Sequence, residues 1–162
     1  MRYNNKNVIL PEPWVQPGPA NDEIWYTSSD GNIVKPYKAN ALPTIVSNTY
    51  VDGKGIIKFA IDVTSIGYNA FKGSTSLTSV IFGNSLDTIG NYVFENCTGL
   101  TSMTIPNSAT SIGEGAFINC RNLTSITYTG TITQWNAITK GSYWHNNVPA
   151  TVVHCTDGDA QI

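Results

Sequence analysis

Charge is what this chain has least of. Only 12% of its 162 residues are Asp, Glu, Lys or Arg, about half the usual share of roughly 25%. The formal net charge is −2, so there is no electrostatic footprint for nucleic acid or for an anionic membrane surface. Wholly apolar runs are short, as in Val8-Ile9-Leu10; none approaches the ~20 residues of a transmembrane helix or the ~7–15 of a signal-peptide core. Three cysteines are too few for a disulfide scaffold. The two histidines, His145 and His154, mean that any Ser-His-Asp or Cys-His site must use one of them. The length suits one domain, which buries roughly two-thirds of its unfolded surface and needs no metal or disulfide to fold.

In place of charge stand 13 Ser, 19 Thr and 17 Asn, and they recur in register. Ile66, Ile89 and Ile112 are spaced by 23 residues, as are Gly67, Gly90 and Gly113, then Phe71, Phe94 and Phe117, then Leu77, Leu100 and Leu123. Segments 86–108 and 109–131 share nine identities without a gap. One step back, Val80 falls on Ile57 and Phe82 on Phe59, so the strand of an earlier coil is expected at 56–60. Within a period, Leu77-x-x-Val80-x-Phe82 ends in the two-residue alternation of a half-buried strand. Turn residues follow at Asn84-Ser85 and Pro106-Asn107-Ser108. Val63-x-x-Ile66, Leu86-x-x-Ile89 and Ala109-x-x-Ile112 form a second short extended piece that ends at glycine. Ala116, Phe117 and Cys120 then have the spacing of one helical turn. No coil can bury its apolar face alone, so the coils stack at the ~4.8 Å spacing of adjacent strands.

The run Ser111-Ile112-Gly113-Glu114-Gly115-Ala116-Phe117-Ile118-Asn119-Cys120-Arg121-Asn122-Leu123-Thr124-Ser125-Ile126 resembles the BspA-like class of leucine-rich repeats, named for a bacterial surface protein. The tail from Tyr128 through Gln134-Trp135 and Trp144 to Gly158 looks like the C-terminal cap of such arrays, and the segment from Glu23 to Ile33 like their N-terminal opening. The resemblance spans about 22–158. It implies an α/β solenoid: a right-handed leucine-rich-repeat coil with a parallel concave sheet and short helical turns on the convex side. A β-hairpin opens it and a helix–strand cap closes it. It also implies a bacterial cell-surface or extracellular setting, adhesion or protein binding, and a protein ligand of the host extracellular-matrix kind. It brings no catalytic residue and no cofactor. The first coil departs from the others in carrying Gly73-Ser74 where they have Asn96-Cys97 and Asn119-Cys120.

The chain accordingly divides into a Pro-rich extended arm at 1–20, N-terminal hairpins and a capping strand at 21–62, three 23-residue repeats at 63–131 and a cap at 132–162. Pro11, Pro13, Pro17 and Pro19 give the arm its extended character. Ile24–Thr27 and Asn32–Val34 flank a Ser29-Asp30-Gly31 turn and read as a hairpin, and Ile45–Tyr50 with Ile56–Phe59 around Asp52-Gly53 as a second. A short helix is expected over Thr133–Ile138, N-capped by Thr133, with Gly141 beyond its end. Thr151–His154 supplies a last strand, so the parallel sheet is expected to hold 57–59, 80–82, 103–105, 126–128 and 152–154.

No enzyme site assembles from these residues. His145 and His154 serve most simply as rings covering the last coil. His154-Cys155 with Asp157 lacks the four ligands of structural zinc, and Asp157-Gly158-Asp159 is too short for a calcium loop. Glu95 and Glu114 occupy different phases of the repeat and make no carboxylate pair. Gly53-x-Gly55 is turn glycine, not a phosphate loop. Cys97 and Cys120, one coil apart, either form a disulfide or stand as a ladder of buried thiols, the simpler reading. What remains for function is the concave sheet. Its outward rows are Ile56, Ser79, Ser102, Ser125 and Lys58, Ile81, Thr104, Thr127, and Lys58, Ser79, Ile81, Ser102, Thr104, Ser125 and Thr127 are the candidate binding residues. Five strands present roughly 240 Å² in plan, against ~800 Å² per partner in a standard interface. The leading reading is a non-catalytic protein-interaction module, with a monomer among its permitted states. The alternatives are a structural spacer, or a carbohydrate-binding domain using Trp14, Tyr26, Tyr37 and Tyr50.

Overall fold

The structure, a computed structural model, describes residues 18–162. The Pro-rich arm, with Trp14, lies almost wholly outside the described residues. Those described form β1 (Glu23–Ser28), a short 3-10 turn (Ala39–Ala41), β2 (Ile45–Val51), β3 (Lys54–Phe59), β4 (Ser65–Ile66), β5 (Leu77–Phe82), β6 (Thr88–Ile89), β7 (Ser102–Ile105), β8 (Ser111–Ile112), β9 (Ser125–Tyr128), α1 (Ile132–Ala137), β10 (Thr139–Lys140), β11 (Val152–Cys155) and β12 (Gly158–Gln161). They build a β-solenoid of about four turns with very little helix. One sheet has eight strands in the order β12-β11-β9-β7-β5-β1-β3-β2, and the other has four in the order β10-β8-β6-β4.

The 23-residue spacing becomes strand register. Val80 pairs with Met103 and Met103 with Ile126, all in parallel strands, and Val153 follows on Ile126. The Ile66–Ile89–Ile112 column forms the second sheet in the same way. Inward side chains of both sheets meet in one core, where Phe71, Phe94 and Phe117 stack nearly parallel at 5.5 and 5.6 Å. Trp144 closes that column edge-on at 6.1 Å from Phe117. The glycine that ends each short strand has a steric reason: a Cβ on Gly90 would lie 2.7 Å from the Ile66 carbonyl oxygen of the coil before.

The third face of each coil is not the helical turn expected from Ala116, Phe117 and Cys120. Alternate amides there reach across to the next coil, Phe71 N to Val93 O at 2.9 Å and Phe94 N to Ala116 O at 2.8 Å, while their neighbours close local turns. Half the donors are thus withdrawn from any helical ladder. Two residues per coil also adopt left-handed backbone, Asn69 and Gly73, then Tyr92 and Asn96, then Gly115 and Asn119. Glycine and asparagine both tolerate that conformation, which explains why Gly73 stands where later coils have asparagine. The asparagines also form an amide ladder, Asn147 to Asn119 at 2.7 Å and Asn119 to Asn96 at 2.9 Å.

The N-terminal region departs from expectation. The 56–60 strand does not pair with β5. β1 lies between them, antiparallel to both, with Trp25 opposite Ile56 on one side and Ile81 on the other. The 29–44 connection carries the chain from β1 out to the edge strand β2, so β3 returns on the far side of β1. Ile24–Thr27 therefore makes no hairpin with Asn32–Val34, although the turn at Gly31 is present with φ 69°. The β2–β3 hairpin is as expected, with Asp52 and Gly53 both at positive φ, the type I′ signature. Tyr26 faces Gly55 across the strands, and the phenol ring occupies the space a Cβ would take.

At the other end, α1 starts earlier than expected. Thr131, not Thr133, caps it: Gln134 N donates to Thr131 Oγ1 at 3.2 Å while Thr131 N donates to Gln134 Oε1 at 2.9 Å, a capping box. Lys140 Nζ donates to Trp135 O and Ile138 O at 2.7 and 3.1 Å and so closes the helix C-terminus; burial lowers its pKa. The region taken as a cap is itself a fourth coil. β10 pairs with β8 and Asn147 repeats the left-handed position of Asn119, but α1 lengthens the period from 23 to 28. β12, unforeseen in the sequence, pairs antiparallel with β11 and forms the sheet's last edge.

Candidate functional site

Alternation in the strands of the large sheet sends every second side chain away from the core. Ser79, Ser102 and Ser125 fall in one register row and Ile81, Thr104 and Thr127 in the next, all half-buried on the outer face. Lys58 shares that face but belongs to a third row, opposite Glu23 and Ser47, so it does not continue Ile81. Ile56 does, through Trp25. The full row is Thr49, Ile56, Trp25, Ile81, Thr104, Thr127, His154 and Asp159, one residue from each of the eight strands. At ~4.8 Å per strand it is ~38 Å wide, which enlarges the estimate in plan to roughly 380 Å².

Trp25, third of the eight residues in this row, is its large aromatic side chain, and sequence reasoning missed it. The available signal was the alternation Ile24-Trp25-Tyr26-Thr27: Ile24 and Tyr26 are buried at 1% and 2% exposure, which turns Trp25 and Thr27 outward. The indole Nε1 donates to Glu23 Oε2 at 2.9 Å, and Lys54 Nζ sits 3.0 Å above the ring centroid. Thr27 Oγ1 hydrogen-bonds Ser79 Oγ and Thr78 Oγ1, both at 2.6 Å. Trp25, Tyr26, Thr27, Lys54, Ser79 and Ile81 line a depression of about 300 Å³. Ile81 also borders a second one, of about 550 Å³, where Gly18 and Pro19 lie beside Thr104 and Pro106. Lys58 holds Asp22 at 3.1 Å and Glu23 at 3.6 Å, and the Asp22 carboxylate raises its pKa.

Of the aromatic set proposed for sugar stacking, the three tyrosines among the described residues do not form one surface. Tyr26 is buried, its hydroxyl bonded to Asn48 Oδ1 at 2.7 Å and receiving Val34 N at 3.2 Å, and burial raises its pKa. The Tyr50 hydroxyl is tied to the Ser28 backbone. Tyr37 is exposed, away from the sheet face. The two histidines differ in placement. His145 packs against Trp144 at 4.3 Å between ring centroids, whereas His154 stands on the outer face with Nδ1 2.8 Å from Asp159 Oδ1. Asp159 thus orients His154 beside Thr127, but no hydroxyl among the described residues hydrogen-bonds the ring. Glu95 pairs with Lys72 and Glu114 accepts from the Tyr92 hydroxyl, so neither carboxylate faces the other. Among the described residues no cluster of three or more His, Cys, Asp or Glu is placed to hold a metal, and no helix is long and apolar enough to cross a membrane.

Cys97 and Cys120 are free, fully buried thiols, so the ladder describes them and the disulfide does not. Each Sγ donates to a carbonyl of the coil before, Cys97 to Phe71 O at 3.1 Å and Cys120 to Phe94 O at 3.0 Å. Burial pushes the Cys97 pKa up to about 12 and that of Cys120 higher still.

Residues 44–147 match the family model described as BspA type leucine rich repeat region, in six copies. No curated protein matches the chain. Among solved structures, a leucine rich cell surface protein from Faecalibacterium prausnitzii A2-165 is 36% identical over 51% of this chain and 22% of its own, with TM-score 0.48. A leucine-rich repeat protein from Bacteroides ovatus ATCC 8483 is 25% identical over 83% of this chain and 36% of its own, with TM-score 0.46. The chain spans little more than a third of the longer-matched of these and under a quarter of the other. Its repeat register, its stacked coils and the matched segment, well over half its length, place this chain in the BspA-type leucine-rich repeat family.

Proposed function

We propose that the chain is a non-catalytic protein-interaction module that engages its partner with the outer face of the eight-stranded sheet, in a cell-surface or extracellular setting. The observation that carries this is the Ile56–Trp25–Ile81 segment, an apolar stretch with an aromatic anchor, flanked in its row by Thr49 on one side and by Thr104 and Thr127 on the other. A half-buried tryptophan ringed by polar groups is the composition of interface hot spots. A spacer has no need of such an anchor, and a sugar would find the Trp25 ring face already covered by Lys54. Neutral hydroxyls along the remaining rows can hydrogen-bond a partner but supply no base or clustered charge for bond making. At roughly 380 Å² the face is about half a standard interface, so one copy binds at micromolar affinity or weaker and multiple copies gain by avidity.

The test is a binding screen of the full chain, single and tetramerised, against immobilised extracellular-matrix proteins, repeated with Ile81→Arg, with Ser102→Arg and with Asn91→Arg, which is exposed off this face. Binding should be lost in the first two and kept in the third. A partner that tolerates both Ile81→Arg and Ser102→Arg refutes the sheet face as the site.

A further inference from the structure

We infer that the depression between Trp25 and Lys54 selects a carboxylate, so that the partner presents an acidic side chain next to an apolar one; this rests on the sheet-face reading above and names its chemistry. Lys58, on the same sheet face, is already paired with Asp22 and Glu23. Lys54 has no carboxylate within ion-pair distance among the described residues, not even Asp52 two positions away in the hairpin turn. Its ammonium is instead held over the Trp25 ring at 3.0 Å. That position restrains the cation in advance, so less side-chain entropy is lost when an anion arrives.

The opposite wall adds a donor. Thr78, Thr27 and Ser79 are joined by two hydroxyl–hydroxyl bonds of 2.6 Å. Three hydroxyls linked twice consume two of their three protons, and the third, when carried by Thr27 or Ser79, donates into the depression that both line. A carboxylate bridging that donor and Lys54 uses both charge and hydrogen bonding. Trp25 and Ile81 form the apolar side of the same depression and fit the neighbouring aliphatic residue of the partner. Among the described residues no acidic side chain lines the depression. Glu23, which accepts from the Trp25 indole, is also engaged by Lys58, as is Asp22. A basic partner residue would meet Lys54 with like charge, and a neutral amide would forgo the ion pair.

Three capped peptides that differ at one residue, Leu-Glu-Leu, Leu-Gln-Leu and Leu-Lys-Leu between Gly-Ser flanks, provide the probe. They are titrated into the full isotope-labelled chain, following the amides of Thr27, Lys54 and Ser79 and the Trp25 indole N–H. The glutamate peptide should reach half-saturation at a concentration at least about tenfold lower than the glutamine peptide, and the lysine peptide should shift nothing. Lys54→Met, which keeps the chain packed on Trp25, should erase the preference, and Lys58→Met should leave it. Equal response to glutamate and glutamine, a preference that survives Lys54→Met, or no response to the glutamate peptide at millimolar concentration overturns the inference. The matrix-protein screen separates the two readings. Loss of binding with Ile81→Arg but not with Lys54→Met leaves the sheet face standing and removes the acid selection. Peptide selectivity without any effect of Ile81→Arg on the protein partner does the reverse.

Discussion

Replacing Phe94 by alanine removes the middle ring of a three-ring column. Phe94 is fully buried, nearly parallel to Phe71 at 5.5 Å and to Phe117 at 5.6 Å, and also 6.2 Å from Phe82. Burying a phenylalanine and then deleting it costs about 3–5 kcal/mol, through lost transfer energy and the cavity left behind. Two stacked pairs vanish together, each worth ~0.5–1.5 kcal/mol, which places Phe94→Ala in the upper half of that range. Coils on either side are fixed by inter-coil backbone bonds, Phe71 N to Val93 O and Phe94 N to Ala116 O, so the cavity cannot close by sliding one coil. Against a total of ~5–15 kcal/mol, about 4 kcal/mol is a large fraction. Urea unfolding followed by far-ultraviolet circular dichroism reads it directly. With a slope of ~2 kcal/mol per molar, the midpoint should fall by ~2 M without a change in slope. Phe71→Ala, which loses one stacked neighbour, should fall by ~0.5 M less. A Phe94→Ala midpoint within ~0.5 M of the parent refutes the column, and equal shifts for the two variants refute its stacking contribution.

Two further outcomes follow from buried titratable groups. Half-buried Cys155 should react with a thiol reagent in the native protein at pH 8, while buried Cys97 and Cys120 stay silent until unfolding, when all three react without reductant; recovery of a single thiol would mean that the other two are bonded to each other. Desolvation depresses the His145 pKa, and its Nδ1 finds no hydrogen-bond partner among the described residues. Below pH ~6.5 the unfolded chain therefore takes up a proton that the folded chain refuses, so stability present above that pH is lost as the pH falls through the folded pKa. His145→Gln should flatten the thermal midpoint between pH 6.5 and 5. An unchanged slope there would assign the acid sensitivity to other groups.

The repeat was legible because identical side chains one coil apart must stack on each other, so the spacing of Phe71, Phe94 and Phe117 along the chain is already the spacing of a column. What the period could not show is who stands next to whom where it fails. Ile57 lies one period before Val80 and has the right alternation, but alternation reports which face is buried and is silent about the neighbouring strand. β1 therefore enters between them unannounced, and with it Trp25. The fourth coil was hidden by the insertion of α1, which breaks the 23-residue register, although Gly141 repeats Gly113 and Asn147 repeats Asn119. β12 was hidden by composition: Gly158, Asp159 and Ala160 are poor strand formers, and backbone pairing with β11 decides their conformation. A third of the candidate depression, Ser79 and Ile81, came from the repeats; Trp25, Tyr26, Thr27 and Lys54 come from strands the repeats do not govern.

The asparagine ladder has a consequence for how long such a chain can be. Every interior coil offers its successor the same amide, the same left-handed backbone position and the same alternating amide donors that its predecessor offered it. A gene duplication of any whole number of 23-codon units between Ser108 and Ala109 would meet matching surfaces on both sides. It would lengthen the large sheet by ~4.8 Å for each unit. An insertion of any other length must bulge out, as α1 does. Growth by duplication is therefore quantised, and it takes place at the middle of the array while β1 and β12, the antiparallel strands that flank its parallel run, are carried apart unchanged.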